Sequence, residues 1–317
     1  EIYQDNEDHN FIDSSLYSRY RVKAGLRNEN GTGVKVGLTK ICDVIGYKII
    51  HEKKYDIDGQ LIFRGYPINY LVNKQPSDKI CGFEETAYLL IFGTLPNAEQ
   101  LKEFKDYLLN FKMGPVDLQY ETPNILNALQ IEVLKLYAKD PSADTDDLEE
   151  RMMKGLNILA SIPLFTFSYA RNKVFKSYPY PDRSLAENIL CMARGNDQYT
   201  FEEAKIMDTL LMVHADHGGG NNSTFANVVI SSTGTDIYSC ISAAIGSLKG
   251  PKHGGANCKV TNMFNAIFHE VGFTTDKTTL KKIANRLLDK DFFDHSGLIY
   301  GIGHAIYTKS DPRALLI

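Results

Sequence analysis

Residues 142–173, SADTDDLEERMMKGLNILASIPLFTFSYARNK, constrain the fold of this chain more than any other stretch. Acidic residues crowd the start, basic residues the end, and an apolar centre lies between, the order in which side chains complement a helix dipole. The pattern predicts one long helix whose apolar content calls for burial by other elements. Pro163 lies inside it and is expected to interrupt and kink it, because proline removes a backbone donor and crowds the preceding turn. The lead-in DPSADTDD reads as an acidic loop.

The neighbouring segments are helical too. FEETAYLLIFGTLP opens with acids, carries an apolar stripe and stops at Gly93 and Pro96. TFEEAKIMDTLLMVHADHG begins with Thr200 and Glu203 in capping-box spacing and sets Met207, Leu210, Leu211 and His214 on one stripe, with its end expected near Asp216. The exception comes early. Asp58-Gly59 stands between YKIIHEKKYDI and QLIFRGY, a hairpin signal that predicts a turn at that dipeptide and a small N-terminal sheet. The fold class expected is mainly α, with a small β-hairpin near the N-terminus.

At 317 residues there is enough chain for one large domain, or for one large and one partial domain. A hydrophobic fraction of 43% and a charged fraction of 23% are those of an ordinary soluble globular protein. A formal net charge of -4 gives no electrostatic reason to expect nucleic acid. Cys42, Cys81, Cys191, Cys240 and Cys258 stand far apart without a CxxC pair, which argues against a disulfide framework or a zinc site and for a reducing cytoplasm. No apolar run approaches a membrane span, and EIYQDNEDHNF does not resemble a secretory or mitochondrial leader.

Three histidine-containing clusters are not explained by helix packing. HADHGGGNNSTF places His214, Asp216 and His217 within one turn, ahead of three glycines. Imidazole and carboxylate are zinc ligands, so a metal-dependent hydrolase is one reading. The other is a helix C-terminus, where histidine complements the dipole and glycine ends the helix. KGPKHGGAN frames His253 with glycines but has neither the Gly-Lys-Ser/Thr ending of a phosphate loop nor a dinucleotide fingerprint. A helix beginning in ANCKVTNMFNAIF would hold His253 neutral at its positive end, ready to donate a hydrogen bond to a carbonyl becoming an enolate. SGLIYGIGHAIYTKSDPRA presents His304 after Gly301 and Gly303, followed by Arg313, whose planar fork suits a carboxylate. Together the three clusters point to a site that polarises carbonyls.

These motifs, with VGLTKICDVIG, IFRGYPI and FEETAYLLIFGTLP before them, run in an order and spacing that resemble a citrate synthase over nearly the whole chain. The resemblance implies a large helical domain, here 1–254, part of a smaller helical domain, here 255–317, and a homodimer made by helices of the large domain. It implies a tricarboxylic acid cycle enzyme that joins acetyl-CoA to oxaloacetate, with a coenzyme A thioester as substrate, no resident cofactor and no metal. Propionyl-CoA in place of acetyl-CoA would make it a 2-methylcitrate synthase. By the resemblance His253 bonds the thioester carbonyl, and His304 polarises the oxaloacetate carbonyl and later serves as an acid. His217, Asn221 and Arg313 bind oxaloacetate; Lys252 and the run Ile299, Tyr300, Gly301, Ile302 and Gly303 receive coenzyme A. His214 has no ligand role. The base in the family is an aspartate downstream of the Gly-His-Ala motif, and Asp294 in FFDHSG, which precedes that motif, reads instead as a helix-to-loop junction. Residues 1–317 alone are accordingly expected to be a piece without competence, loosely held from about 260 onward, or a silent dimeric fragment that only binds coenzyme A.

Overall fold

The computed structural model describes residues 13, 15–20, 39–51, 53–114, 122–251, 253–304 and 306–317. After a short helix α1 (Ser15–Arg19), strands β1 (Cys42–Ile50), β2 (Lys53–Phe63) and β3 (Tyr66–Pro67) form an antiparallel sheet in that order. The fold is otherwise helical, as the patterning predicts. The hairpin exists, but its turn is not at Asp58-Gly59. β1 and β2 pair from Cys42↔Phe63 out to Ile50↔Lys53, so the chain reverses around His51, whose φ of 48° is left-handed. Asp58 and Gly59 lie instead inside β2, where the register shifts between Ile45↔Gln60 and Tyr47↔Asp56. Gly46 alone on β1 thus stands opposite Ile57, Asp58 and Gly59, a bulge of the kind that bends a strand.

Helix α2 (Ile68–Asn73) leads to α3 (Gly82–Phe92), which ends on Gly93 at φ 89°, and α4 (Ala98–Leu109) starts from a capping box of Asn97 and Gln100. Beyond α5 (Ile125–Lys139), the long helix α6 runs unbroken from Leu148 to Arg171 after an Asp147 cap. Pro163 does not interrupt it, in contrast to the expectation. Its neighbours Ala160, Ser161, Leu164 and Phe165 are all buried, so packing holds the helical path where one backbone bond is lost. Capping boxes also open α7 (Leu185–Arg194) and α8 (Phe201–Val213), the latter with Thr200 and Glu203. α8 stops at Val213, with His214 as its cap, three residues before Asp216. α9 (Asn222–Ser231), α10 (Ile237–Leu248), α11 (Ala256–Val271) and α12 (Lys277–Leu288) follow.

The main core gathers Leu61 and Phe63 of β2 with Leu71, Leu89, Leu108, Leu164, Met192 and Met212 from six helices. Two buried carboxyls tie its helix ends. Asp208 accepts from the Gly82 and Phe83 amides, and Glu84 from the Leu185 amide, so orphan donors at helix starts are satisfied by acids rather than water. A second cluster, Met263, Ile283 and Leu287 with Phe292, Phe293, Ile299 and Tyr300 around it, belongs to α11, α12 and the loop after them. Tyr307, Ile306 and Leu316 then return to the main core. That return brings the last cluster of the sequence onto the hairpin. No helix among the described residues is long and apolar enough to cross a membrane.

Candidate functional site

The loop after α8 and the loop ending the chain meet at three rings. His217 and His304 lie 4.8 Å apart between ring centroids at 72°, and Tyr307 stacks on His304 at 4.5 Å and 25°. His304 Nδ1 accepts two backbone amides, Ile306 N at 3.1 Å and Tyr307 N at 3.0 Å. A nitrogen that accepts two N–H groups carries no proton. The neutral ring therefore bears its hydrogen on Nε2, a fixed donor. Burial, and then the Arg313 charge, lower the His304 pKa and so favour this neutral form. His217 is driven further, to about 4, by burial and then by Arg313 and His304. Its Nε2 is buried and has no hydrogen-bond partner, a donor or acceptor left for something else.

Arg313 is not a free fork. Asp311 takes its Nε at 3.0 Å and one Nη2 proton at 2.6 Å, and its guanidinium stands 5.8 Å from the Tyr307 ring centroid. Asp311 fixes the orientation of the cation, and the remaining N–H groups are what a carboxylate would meet. His217, His304 and Arg313 are thus brought together as expected.

His253 belongs to a neighbouring arrangement. Its Nε2 lies 3.0 Å from Ser223 Oγ, and burial lowers its pKa. α11 begins just beyond it, at Ala256, as expected. Asn221 is the N-cap of α9, its Oδ1 accepting from Ser223 N at 2.7 Å and Thr224 N at 3.3 Å. Its amide NH₂ is the part left for a ligand. Residues 217–223 therefore join the two histidine sites through one loop and one helix start.

The hydrolase alternative fails on geometry. His214 Nδ1 donates to Leu210 O at 2.7 Å and Asp216 Oδ1 accepts from Gly218 N at 2.8 Å, local bonds that belong to the end of α8 and the turn after it. Among the described residues no group of three His, Cys, Asp or Glu side chains is placed to hold a metal ion. The reading of His214 as a helix C-terminal residue is the one the structure carries.

Of the residues expected at coenzyme A, Lys252 lies outside the described residues. Ile299 and Tyr300 pack on the second cluster, Ile302 is exposed, and Gly301 and Gly303 have φ of 85° and 103°. Those angles require glycine and leave the backbone bare. Asp294 accepts from Tyr300 Oη at 2.6 Å and Lys259 Nζ at 3.1 Å, which ties the loop to α11 as a junction would.

Sequence reasoning missed Ser223, Tyr307 and Asp311. Each sits inside a motif already singled out: Ser223 two residues past the Asn221 cap, Tyr307 three past His304, and Asp311 two before Arg313. Their spacing was a usable signal, because short offsets in turns bring side chains onto neighbouring groups.

Comparison with known proteins adds the following. The family model described as "Citrate synthase, C-terminal domain" matches residues 27–317. The citrate synthase of Haloferax volcanii is 35% identical over 278 residues, covering 82% of this chain and 66% of that protein. A 2-methylcitrate synthase of Corynebacterium glutamicum is 32% identical over 265 residues, covering 80% and 65%. The crystal structure of citrate synthase from Thermotoga maritima superposes with a TM-score of 0.65 at 28% identity, covering 90% of this chain and 69% of that one. The chain spans about two thirds of the length of the curated relatives it matches.

Proposed function

Because the chain belongs to the citrate synthase family, we propose that the complete protein condenses acetyl-CoA with oxaloacetate to give citrate and coenzyme A. The observation that carries this reading is His304: a neutral ring with its Nε2 proton fixed by two backbone donors, beside the Arg313 cation and the unpaired Nε2 of His217. A ketone flanked by carboxylates needs a donor at its oxygen and a cation at its acid, and this set offers both.

The chemistry then runs as follows. A carboxylate base removes a methyl proton from the thioester, the role the family gives to an aspartate. His253 donates to the thioester oxygen as enolate charge develops there. In this reading Ser223 donates to Nε2, at 3.0 Å, and Nδ1–H is the proton His253 presents. The enol carbon attacks the ketone carbon, the carbonyl electron pair moves to oxygen, and His304 Nε2 supplies the proton that makes the hydroxyl. Water then cleaves the thioester to release coenzyme A. Asn221 and His217 orient the ketoacid; Lys252, Ile299, Tyr300, Gly301, Ile302 and Gly303 are proposed to receive the coenzyme. No resident cofactor belongs to this reading.

Propionyl-CoA is the second acyl donor to consider, because a 2-methylcitrate synthase is among the similar proteins. Release of thiol from each thioester, with and without oxaloacetate, tests both. Ketoacid-dependent release from acetyl-CoA supports the first reading and preferential release from propionyl-CoA the second. Ketoacid-dependent release from neither thioester overturns the proposal. The homodimer is supported by α9, which buries none of its residues and leaves Val228 and Val229 exposed. Sedimentation as a monomer would contradict it. Five free cysteines fit a reducing, cytoplasmic home.

A further inference from the structure

The hairpin is far from the histidine motifs in sequence, yet the loop that carries His304 and Arg313 lies directly on its bulge. A Cβ at Gly46 would overlap the Ile306 carbonyl oxygen and come within 2.9 Å of Tyr307 Cα. A Cβ at Gly59 would overlap the Ser310 carbonyl oxygen and meet Tyr307 Cδ1 at 2.7 Å and Pro312 Cδ at 3.0 Å. Neither glycine has a positive φ, so an alanine at either position meets no backbone objection, only the loop above it.

Polar contacts fix the same loop from the same side. The Gly59 amide donates to Ser310 Oγ at 3.2 Å, and that hydroxyl donates to Asp58 Oδ1 at 3.1 Å. Tyr307 Oη reaches Gln60 O, and Thr308 Oγ1 reaches Gly46 O, each at 3.4 Å. Tyr307 is buried and forms the floor on which His304 stacks. Every one of these hairpin contacts falls on residues between the two groups that would grip the ketoacid.

We propose that the β1–β2 bulge is a positioning element of the ketoacid site, with Gly46 and Gly59 as positioning residues that set the height and register of His304 and Arg313. The claim rests on the function proposed above. It adds that the site's geometry is set by backbone contact with a hairpin that itself touches no substrate. Raising the loop by the size of a methyl group would move both His304 and Arg313, and misplacement of about 1 Å costs up to ~10²-fold.

The test compares Gly59→Ala, Gly46→Ala and Ser310→Ala in the complete protein with Lys53→Ala, an exposed change at the far end of the same hairpin. For either glycine variant, KM for oxaloacetate should rise roughly 10- to 100-fold while KM for the thioester stays within about twofold. Amides of residues 306 and 307, which donate to His304 Nδ1, should exchange hydrogen faster. Lys53→Ala should match the native protein in both readouts. A Gly59→Ala protein with native oxaloacetate KM and native exchange at 306–307 overturns the proposal. So does a variant whose two KM values shift equally, since the effect is then not confined to the ketoacid half. If the glycine variants do not fold, Ser310→Ala adds no bulk and decides alone: a rise of about fivefold supports the proposal, no change in either readout defeats it. If the native protein shows no synthase activity, the functional reading fails and the exchange comparison still judges the positioning claim.

Discussion

His304 and His253 are framed alike in sequence, each in a glycine-rich loop, but they are held very differently. The His304 ring receives two backbone amides, stacks on a buried tyrosine and shares its loop with an arginine clamped by Asp311, all resting on the hairpin. The His253 ring bonds to one hydroxyl, that of Ser223, in a loop where glycines flank it. The difference lies in the rings, because the His253 backbone is itself bonded to Gly250 and Ala256. On the function proposed above, the contrast suits a reaction in which the ketoacid binds first and the thioester second.

Single substitutions sharpen that contrast. The largest effect should come from His253→Ala, which removes one donor to developing enolate charge: kcat should fall roughly 10²- to 10³-fold with oxaloacetate affinity nearly intact. Steady-state kinetics with both substrates varied would show this, and a parallel loss of oxaloacetate affinity would mean that the halves are not independent. Arg313→Lys keeps the charge but loses the fork that Asp311 orients, so KM for oxaloacetate should rise about 10- to 100-fold, with the thioester KM little changed. Ser223→Ala removes the hydroxyl partner of His253 and should cost about 5- to 10-fold in kcat, with a shifted kcat pH profile and no change in oxaloacetate KM.

The smallest effect concerns stability. His217 is held neutral, with its pKa near 4, while in the unfolded chain it titrates near 6.5. The unfolded state therefore takes up a proton first as pH falls, and stability declines from about pH 6.5 downward, levelling only near pH 4. Between pH 6.5 and 5.5 the loss from this group is on the order of 1 kcal/mol. Urea titrations at the two pH values should show it, and His217→Asn should remove that part of the slope.

Much of this architecture was legible in the sequence because helix ends carry their own chemistry. Thr200 with Glu203, Gly93 and the acidic start of α6 are local signals, and local bonds satisfy them. Two signals misled because distant contacts outweigh them. Asp58-Gly59 reads as a turn, but Gly59 is needed where the Ser310 carbonyl presses on β2, a contact 251 residues away in sequence. Pro163 reads as an interruption, but α6 continues through it as one helix with buried residues on either side. In the site, His217, His304 and Arg313 were visible as residue types in glycine-rich motifs. Tyr307 and Asp311, and Ser223 beside His253, were not singled out, because tyrosine, aspartate and serine look ordinary until a fold brings them against an imidazole or a guanidinium.

The central claim is that the ketoacid half of the site is complete before any thioester arrives. Calorimetric titration of oxaloacetate alone into the complete protein and its His253→Ala, His304→Ala and Arg313→Lys forms measures this directly. The account predicts native affinity for His253→Ala and at least tenfold weaker binding for the other two. Equal weakening in all three, or native affinity in all three, would contradict it.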